Sequence, residues 1–553
     1  MLNPSARGHD VYDFMEGNVS DFYNAVDDAI VRSECVKGQY RITASPAYNS
    51  TSPVKTPNFT TLGISSSGPI VVDLENSYIT ATPKIKLSSS LARAGACDVP
   101  LFIGWKSSFE AIRQYDILVN SSPIYTQSFA GTESFIQDQI LTELVKNTSP
   151  HTYTSYEQVQ KMSPNVCGTY IKFAAAYNAN TEIEIAIPIK ILLSQFLILK
   201  NLKYLCSWMG KWELRVYFNW ENLVVAPIKP GLSPQLFNTY KVTGDTATVG
   251  FTQVGDAFTG ISAFTDTTVA RQAYKGVDGS SGGTVADCYV QLKYGDKTAT
   301  SAAETITVTS METHDVEANL ATFQLRMDVN EELKARYSDK PLTFPVSTLQ
   351  ISRFSGSPQW GGGAGRDLNT VLCQSVNNCD TVFLLFPSTP NERTVFRNPK
   401  LSNLQLICGE YGAYPQQPIN TYQCSKFLNL CGDALNVNSS PLTSFNNDTA
   451  NSLMDTVTVY TGAGSVFNDV AHQKYDTSNF FVGIPFSIDD DFQGGLSSPS
   501  ANINFKLIGR TTTDLSAWTT PLIACFLIDG SIMIKPDPMG ETARVIYTDR
   551  TIC

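Results

Sequence analysis

Residues Thr181–Phe196 read TEIEIAIPIKILLSQF, with Ile183, Ile185, Ile187 and Ile189 on alternate positions. A period of two places those four side chains on one face of a β-strand. Pro188 breaks that strand, and a short apolar, helix-like piece follows. Roughly 300 residues later, Phe480–Phe492 reads FFVGIPFSIDDDF, again an Ile-Pro pair in an apolar run that closes near a phenylalanine. A β-rich composition can produce one such coincidence; a whole series of matched neighbours cannot.

The neighbours match. In the first region PIVVDLENSYI, PKIKL and VPLFIGW read as strands, and YDILVNSSPIY as a hairpin turning at Asn120-Ser121. GTESFIQDQILTELVK then predicts a helix capped by Thr132, with Ile136, Ile140, Leu141, Leu144 and Val145 on one face. The Ile-Pro strand follows. KWELRVYFNW comes next, turning Trp212, Leu214, Val216, Phe218 and Trp220 one way and Glu213, Arg215, Tyr217 and Asn219 the other. In the second region the order recurs. NLQLICGEYG is a strand with Leu404, Leu406 and Cys408 on one face, and NTYQCSKFLNLCGDAL is a helix carrying Cys424, Phe427, Leu428, Cys431 and Leu435. VGIPFSI and ANINFKLIG complete it, with Ile503, Phe505 and Leu507 alternating. The offset is about 290 residues, with an excess of several residues before the Ile-Pro strand, and a duplication accounts for it.

Each copy holds about eight candidate strands and one mid-domain helix. Many short strands without β-α-β alternation define an all-β chain of two tandem eight-stranded jelly-roll sandwiches. The expected division is an N-terminal arm over 1–54, a first jelly roll over 55–315 and a second over 316–553. A Gly/Ser/Thr-rich excursion over about 230–303 reads as late in the first copy; a linker between the copies is the other placement. In the arm, SDFYNAVDDAIVRS predicts an amphipathic helix capped by Ser20 with Phe22, Val26 and Ile30 inward. The second copy is expected to open at ATFQLRMDV, where Phe323, Leu325, Met327 and Val329 alternate.

Composition bounds the function. At 553 residues the chain exceeds one core, and its charged share of 16% lies below the usual ~25%. A net charge of −11 with no dense basic run argues against wrapping nucleic acid, whose phosphates demand clustered Lys and Arg. Neither a secretory leader nor a membrane span is read: the apolar window Ile183–Leu199 is interrupted by Pro188, Lys190, Ser194 and Gln195. A soluble chain made in the cytosol is therefore expected, in which the sequons at Asn58 and Asn447 are chance. The twelve cysteines form no CxxC pair and read as small core residues, with Cys553 as a terminal thiol.

Catalytic constellations are not found. His9, His151, His314 and His472 are scattered outside any HExxH, and GISSSG over Gly63–Gly68 lacks the spacing of a nucleophile elbow. WGGGAGRD over Trp360–Asp367 lacks the Gly-Lys-Ser/Thr end of a phosphate loop and reads as a turn. Asp489, Asp490 and Asp491 offer oxygen ligands to a hard cation, but consecutive residues converge on one point only in a tight loop. His314 with Asp315 and Glu317 reads as an exposed connection. No catalytic, cofactor-binding or metal residue is assigned, and no cofactor.

DILVNSSPIYTQSFAGTESFIQDQIL resembles the strand, turn and helix of the first jelly roll in the double jelly-roll major capsid proteins of double-stranded DNA viruses. IPIKILLSQF followed by KWELRVYF resembles their later strand pair. The chain is most similar in character to the Polinton, virophage and adintovirus-like group, from about residue 55 onward. The resemblance implies a structural role without enzymatic activity. Homotrimers would form pseudo-hexagonal capsomers that tile an icosahedral shell. Neighbouring capsomers, penton and minor capsid proteins would be the partners, with no sequence-specific nucleic acid. The protein would reside in the virion after assembly in host cytoplasm or nucleus; an internal membrane is left open. A carbohydrate- or receptor-binding β-sandwich protein, such as a fibre or adhesin, is the alternative reading.

Overall fold

The computed structural model describes residues 19–43, 59–89, 99–105, 108–129, 167–173, 181–218, 224–227, 246–249, 290–294, 306–337, 341–354, 360–361, 365–387, 398–421, 423–424, 454–460, 467–473, 480–486, 496, 502–512, 514–516, 518, 520–536 and 543–548. Alternation of apolar and polar residues writes most of its strands. In Trp212–Phe218 every second side chain is buried, Trp212, Leu214 and Val216 completely. The hairpin between Ile112–Val119 and Ser122–Ser128 turns at Asn120 and Ser121, whose φ angles of 50° and 65° give the twist that two-residue hairpin turns favour.

Eight strands of the first half form two sheets. Numbered one to eight along the chain, they are Lys37–Thr43, Phe59–Gly63, Ile70–Ser89, Ile112–Val119, Ser122–Ser128, the pair Thr181–Ala186 and Ile189–Leu192, Trp212–Phe218, and Ile306–Gln324. One sheet has the order one, eight, three, six; the other two, seven, four, five. In the second half the eight strands are Leu342–Arg353, Asp367–Gln374, Cys379–Leu385, Leu401–Cys408, Ala413–Tyr414, Phe481–Pro485, Ile503–Thr511 and Ile523–Lys535. Their sheet orders are the same, one-eight-three-six and two-seven-four-five, all neighbours antiparallel. This order is a jelly roll, present twice.

The repeated Ile-Pro segment is strand six, which stands at the edge of its sheet in both halves. An edge strand keeps one side of its backbone out of the ladder, so a residue without N–H is tolerated there. Beside each proline the pairing continues, Ile187 N–H, just before Pro188, donating to Pro83 O at 2.9 Å and Phe486 N–H, just after Pro485, to Asp380 O at 2.7 Å. The apolar piece after Pro188 is a strand, Ile189–Leu192, followed by the 3₁₀ turns Leu193–Gln195 and Leu197–Leu199.

Several boundaries differ from expectation. Strand one of the first half, Lys37–Thr43, lies inside the expected N-terminal arm and pairs along strand eight from Glu317 to Phe323. That strand eight is continuous over Ile306–Gln324, so a division at 315/316 would cut it. Ser20 lies within the helix over residues 19–32 instead of capping it, while Phe22 and Val26 are fully buried as expected. ATFQLRMDV is not one strand: the strand ends at Gln324 and Met327–Tyr337 is a helix. Leu325, Val329 and Leu333 are buried, a spacing of four, and the short window Leu325–Val329 satisfies periods of two and of four alike. Asp328 in the first turn and Lys334 and Arg336 in the last suit the helix dipole. Each half therefore opens with a helix followed by strand one. Of the two mid-domain helices, residues 131–146 lie outside the described residues, and in the second 420, 421, 423 and 424 are described, the last three helical.

The two halves share their cores. The first cluster, centred on Trp212, Tyr115, Phe109 and Phe196, also takes Leu342, Phe344, Val346, Ile532, Ile534 and Ala543 from the second half. The second cluster takes Leu197 from the first. Truncating Phe344 to alanine is expected to cost about 3–5 kcal/mol. Because Phe344 belongs to the first half's cluster, calorimetry should show one shifted transition, with no separate melting of the second half.

Candidate assembly surfaces

Strand direction sorts the connections. Neighbours are antiparallel in both sheets, so the links one–two, three–four, five–six and seven–eight gather at one end of each sandwich. The links two–three, four–five and six–seven gather at the other, with the entry to strand one and the exit from strand eight. The long connections of the first half, over 90–111, 129–180 and 219–305, all belong to the first end, as does 415–480 in the second. Three of them interlock: Val99–Trp105 pairs with Cys167–Phe173 on one side and Val224–Pro227 on the other. The segment expected as an excursion at 230–303 runs between strands seven and eight. Within it Thr246–Val249 pairs with Val290–Tyr294, which continues onto strand eight.

The opposite end carries the junction between the halves. Phe22 of the first helix makes edge contacts with Phe344 (5.8 Å), Tyr337 (5.3 Å) and Trp208 (6.2 Å). Tyr23 O–H donates to the Asn201 carbonyl and accepts from Lys203 N–H at 3.0 Å, and Tyr204 O–H donates to Asp27 at 2.6 Å. Arg32 forks onto Glu332 of the second helix at 3.1 and 2.6 Å. The pair is exposed and screened by solvent, so the ring cluster holds the junction. From the first hairpin, Asn120 Nδ2 donates to Ala543 O at 2.9 Å, and the Tyr125 ring meets Tyr547 at 5.4 Å, with Tyr547 O–H 3.0 Å from Thr348 Oγ1.

These contacts cover the outer face of the second half's one-eight-three-six sheet. Leu342, Phe344 and Val346 of strand one and Ile532 and Ile534 of strand eight project from that face into the first half's cluster. The equivalent face of the first half is polar. Lys37, Gln39 and Arg41 are exposed along its strand one. Arg41 pairs with Glu317, Lys86 with Glu184 at 3.8 Å, Asn319 with Thr80 at 3.3 Å, and Lys190 Nζ sits 4.1 Å over the Tyr78 ring. The link four–five of the second half, Gly409–Gly412, exposes Tyr411 by half.

In GISSSG, Ser65 Oγ accepts Trp212 N–H at 2.9 Å and Ser66 Oγ donates to Ile70 O at 3.2 Å, so both hydroxyls serve a turn. Gly365 of WGGGAGRD has φ +62°, and a Cβ there would stand 2.3 Å from Asp514 Oδ1, which fixes a tight turn. His314 and Glu317 lie in strand eight, not in an exposed connection, and Glu317 is buried against Arg41. Asp489–Asp491 lie outside the described residues. Among the described residues no group of three or more His, Cys, Asp or Glu could hold a metal, and no helix is long and apolar enough to cross a membrane. Sequence reading missed Asp529, which is buried at the junction end of strand eight. It accepts from Ser347 Oγ at 3.2 Å; burial and then Asp380 hold its carboxyl well above the usual range, with Ser347 and Lys200 opposing.

The strand order defines a double jelly-roll chain. No family model matches it, and no curated protein does. Among solved structures it is similar to the mavirus major capsid protein, at 11% identity over 92% of this chain and 91% of that one, with a TM-score of 0.44. It is also similar to VP54 of PBCV-1, fitted into a reconstruction of the virophage Sputnik, at 8% identity over 93% and 97% with a TM-score of 0.42. Sputnik virophage's own structure matches at 11% over 93% and 88%, with a TM-score of 0.42.

Two measurements check this description. Asp529 keeps its proton in the folded chain to a higher pH than in the unfolded one, so it removes stability as pH rises through and above the usual carboxylate range. Asp529→Asn should therefore melt higher than the parent near pH 7, and the gap should close below about pH 4, where both states are protonated. Second, Cys206, Cys379, Cys408, Cys424 and Cys525 are buried, and burial raises the first four, Cys408 and Cys424 to about 12. Alkylation of the native protein followed by peptide mass mapping should mark Cys373 (exposed) and Cys35 (half-buried) well before those five.

Proposed function

We propose that this chain is a major capsid protein, a structural component of a virion, whose copies assemble as homotrimeric pseudo-hexagonal capsomers. The observation that carries the reading is the double use of one strand order, with the two sandwiches joined edge to face. Such a contact is heterologous: the surface given by one unit differs from the surface used on the next. Repetition of a heterologous contact makes a closed ring or an open helix. Two units per chain and three chains complete a ring of six. The long connections gathered at one end supply an outer surface, and the junction end with its two helices supplies the base. Neighbouring capsomers, penton and minor capsid proteins are the partners that a shell requires. A net charge of −11 suits a wall with no sequence-specific grip on nucleic acid. Assembly takes place in host cytoplasm or nucleus, and the reading assigns the chain no catalytic activity.

Light scattering behind a sizing column tests it, with the same peak imaged in negative stain. A particle near three times 60.5 kDa with a hexagonal outline is expected. A monomer that persists at high concentration would overturn the reading.

A further inference from the structure

We infer that Asp529 is a proton-held latch between the two halves. While its carboxyl is neutral, the turn Leu197–Leu199 and Asn201 of the first half lie closed on strand one of the second; ionisation frees them. The carboxyl is built into that contact. Asp529 of strand eight stands opposite Ser347 of strand one, is 5% exposed, and accepts from Ser347 Oγ at 3.2 Å. Its backbone is tied to the turn before strand three. Asp529 N–H donates to Asn378 O at 3.1 Å, and the Asp529 carbonyl accepts from Asn378 Nδ2 at 3.3 Å. The strand-three ladder slips between Cys379 and Thr381, which leaves Asp380 in the bulge. There Asp380 Oδ2 accepts from Thr381 Oγ1 at 2.9 Å.

From the first half, the turn Leu197–Leu199 straddles the boundary: Leu197 belongs to the second cluster, Ile198 and Leu199 to the first. Asn201 Nδ2 donates to Pro345 O at 3.3 Å, two residues along strand one from Ser347, and the Asn201 carbonyl accepts from Tyr23 O–H of the first helix. Lys200 stands between them, exposed. The titratable and charged groups facing the carboxyl are thus Asp380 and Cys379 of the second half and Lys200 of the first. Burial and the like charge of Asp380 keep the proton on Asp529, while Ser347 and Lys200 oppose them. Burial, Asp380 and Asp529 together keep Cys379 a neutral thiol. A buried carboxylate is relieved by water or by a cation, and the cation here belongs to the other half. Strands one and eight pair over 12 residues and hold each other. The turn is joined to strand one by the Leu197 side chain and the Asn201 contact, so it is the boundary that yields.

Hydrogen exchange on the full chain tests the latch, with rates corrected for the intrinsic effect of pH. The reporters are the amides of Leu199, Lys200, Leu202 and Lys203, which donate to Phe196 O, Leu197 O, Leu199 O and Tyr23 Oη. With the turn lifted the carboxyl titrates in the usual range; with it closed the carboxyl ionises later. Reporter protection in the parent should therefore fall by about tenfold per pH unit above the usual carboxylate range, levelling off once the closed form ionises. Strand seven, Trp212–Phe218, should stay more protected than the reporters throughout. In Asp529→Asn the reporters should show no such fall. Lys200→Met, at an exposed position, removes the opposing cation, so the fall should run on to higher pH before it levels. This second variant carries the test should Asp529→Asn fail to fold. Reporters that stay flat in the parent, fall equally in Asp529→Asn, or fall in step with Trp212–Phe218 would overturn the inference, as would a Lys200→Met curve matching the parent's. These readouts are local and independent of oligomeric state, so their failure leaves the assembly reading standing.

Discussion

The packing of Phe344 against Phe22 is the contact on which the rest of the molecule depends. Phe344 belongs to strand one of the second half, Phe22 to the helix that precedes strand one of the first, yet both are fully buried in the same cluster. A sandwich of this type offers an open edge between strands five and six, and an open edge costs apolar exposure and unpaired backbone. Here the first half closes that edge with the outer face of the next sheet. Fully burying a side chain of this size is favourable by roughly 1.5–3 kcal/mol. Leu342, Val346, Ile532 and Ile534 repeat it, so the junction outweighs the exposed Arg32–Glu332 pair many times over. The halves are one folding unit in energy though two in topology.

Duplication alone does not explain why the two outer faces differ. Identical copies would have carried identical faces, and two apolar ones would have left one exposed to water in every free chain. The divergence at Lys37, Gln39 and Arg41 against Leu342, Phe344 and Val346 separates a face covered within the chain from a face that is polar and exposed. The lattice of small polar contacts on the first face, Arg41 with Glu317 and Asn319 with Thr80, keeps the sheet satisfied while it is wet. That edge strand is also protected from indiscriminate pairing by its charges, a common defence of sheet edges.

Much of this was legible in the residues. Alternation identified Trp212–Phe218, Leu401–Cys408 and Ile503–Thr511, and the Asn120-Ser121 turn was readable because those residues accept positive φ. The Ile-Pro repeat was readable as a duplication; that it marks an edge strand needed the sheet order. Other features were hidden for physical reasons. Lys37–Thr43 alternates four polar residues with only Gly38, Tyr40 and Ile42, so its apolar signal is weak. Met327–Tyr337 carries few apolar residues, so its helix period was lost beneath the alternation of the strand before it. Asp529 sits in the run IACFLIDGSIMI, where one acid gives no sign of whether it is buried. The junction was the least legible part, since a buried outer face reads like any continuous apolar strand.

The placement of the long connections follows from the same constraint. A sandwich has two ends, and length added at either is tolerated by the core, since doubling a loop costs only about 0.6 kcal/mol in closure entropy. Yet the junction end is crowded: the first helix, the second helix, the link Leu193–Lys211 and the hairpin at Asn120 pack there within one cluster. An insertion at that end would have to displace rings packed 5–6 Å apart. Among the described residues no such ring cluster stands at the opposite end. There three separate connections meet as the strands Val99–Trp105, Cys167–Phe173 and Val224–Pro227. Growth at one end and closure at the other make each half a unit with a fixed base and a variable top. That polarity keeps added length away from the contacts that join the two halves.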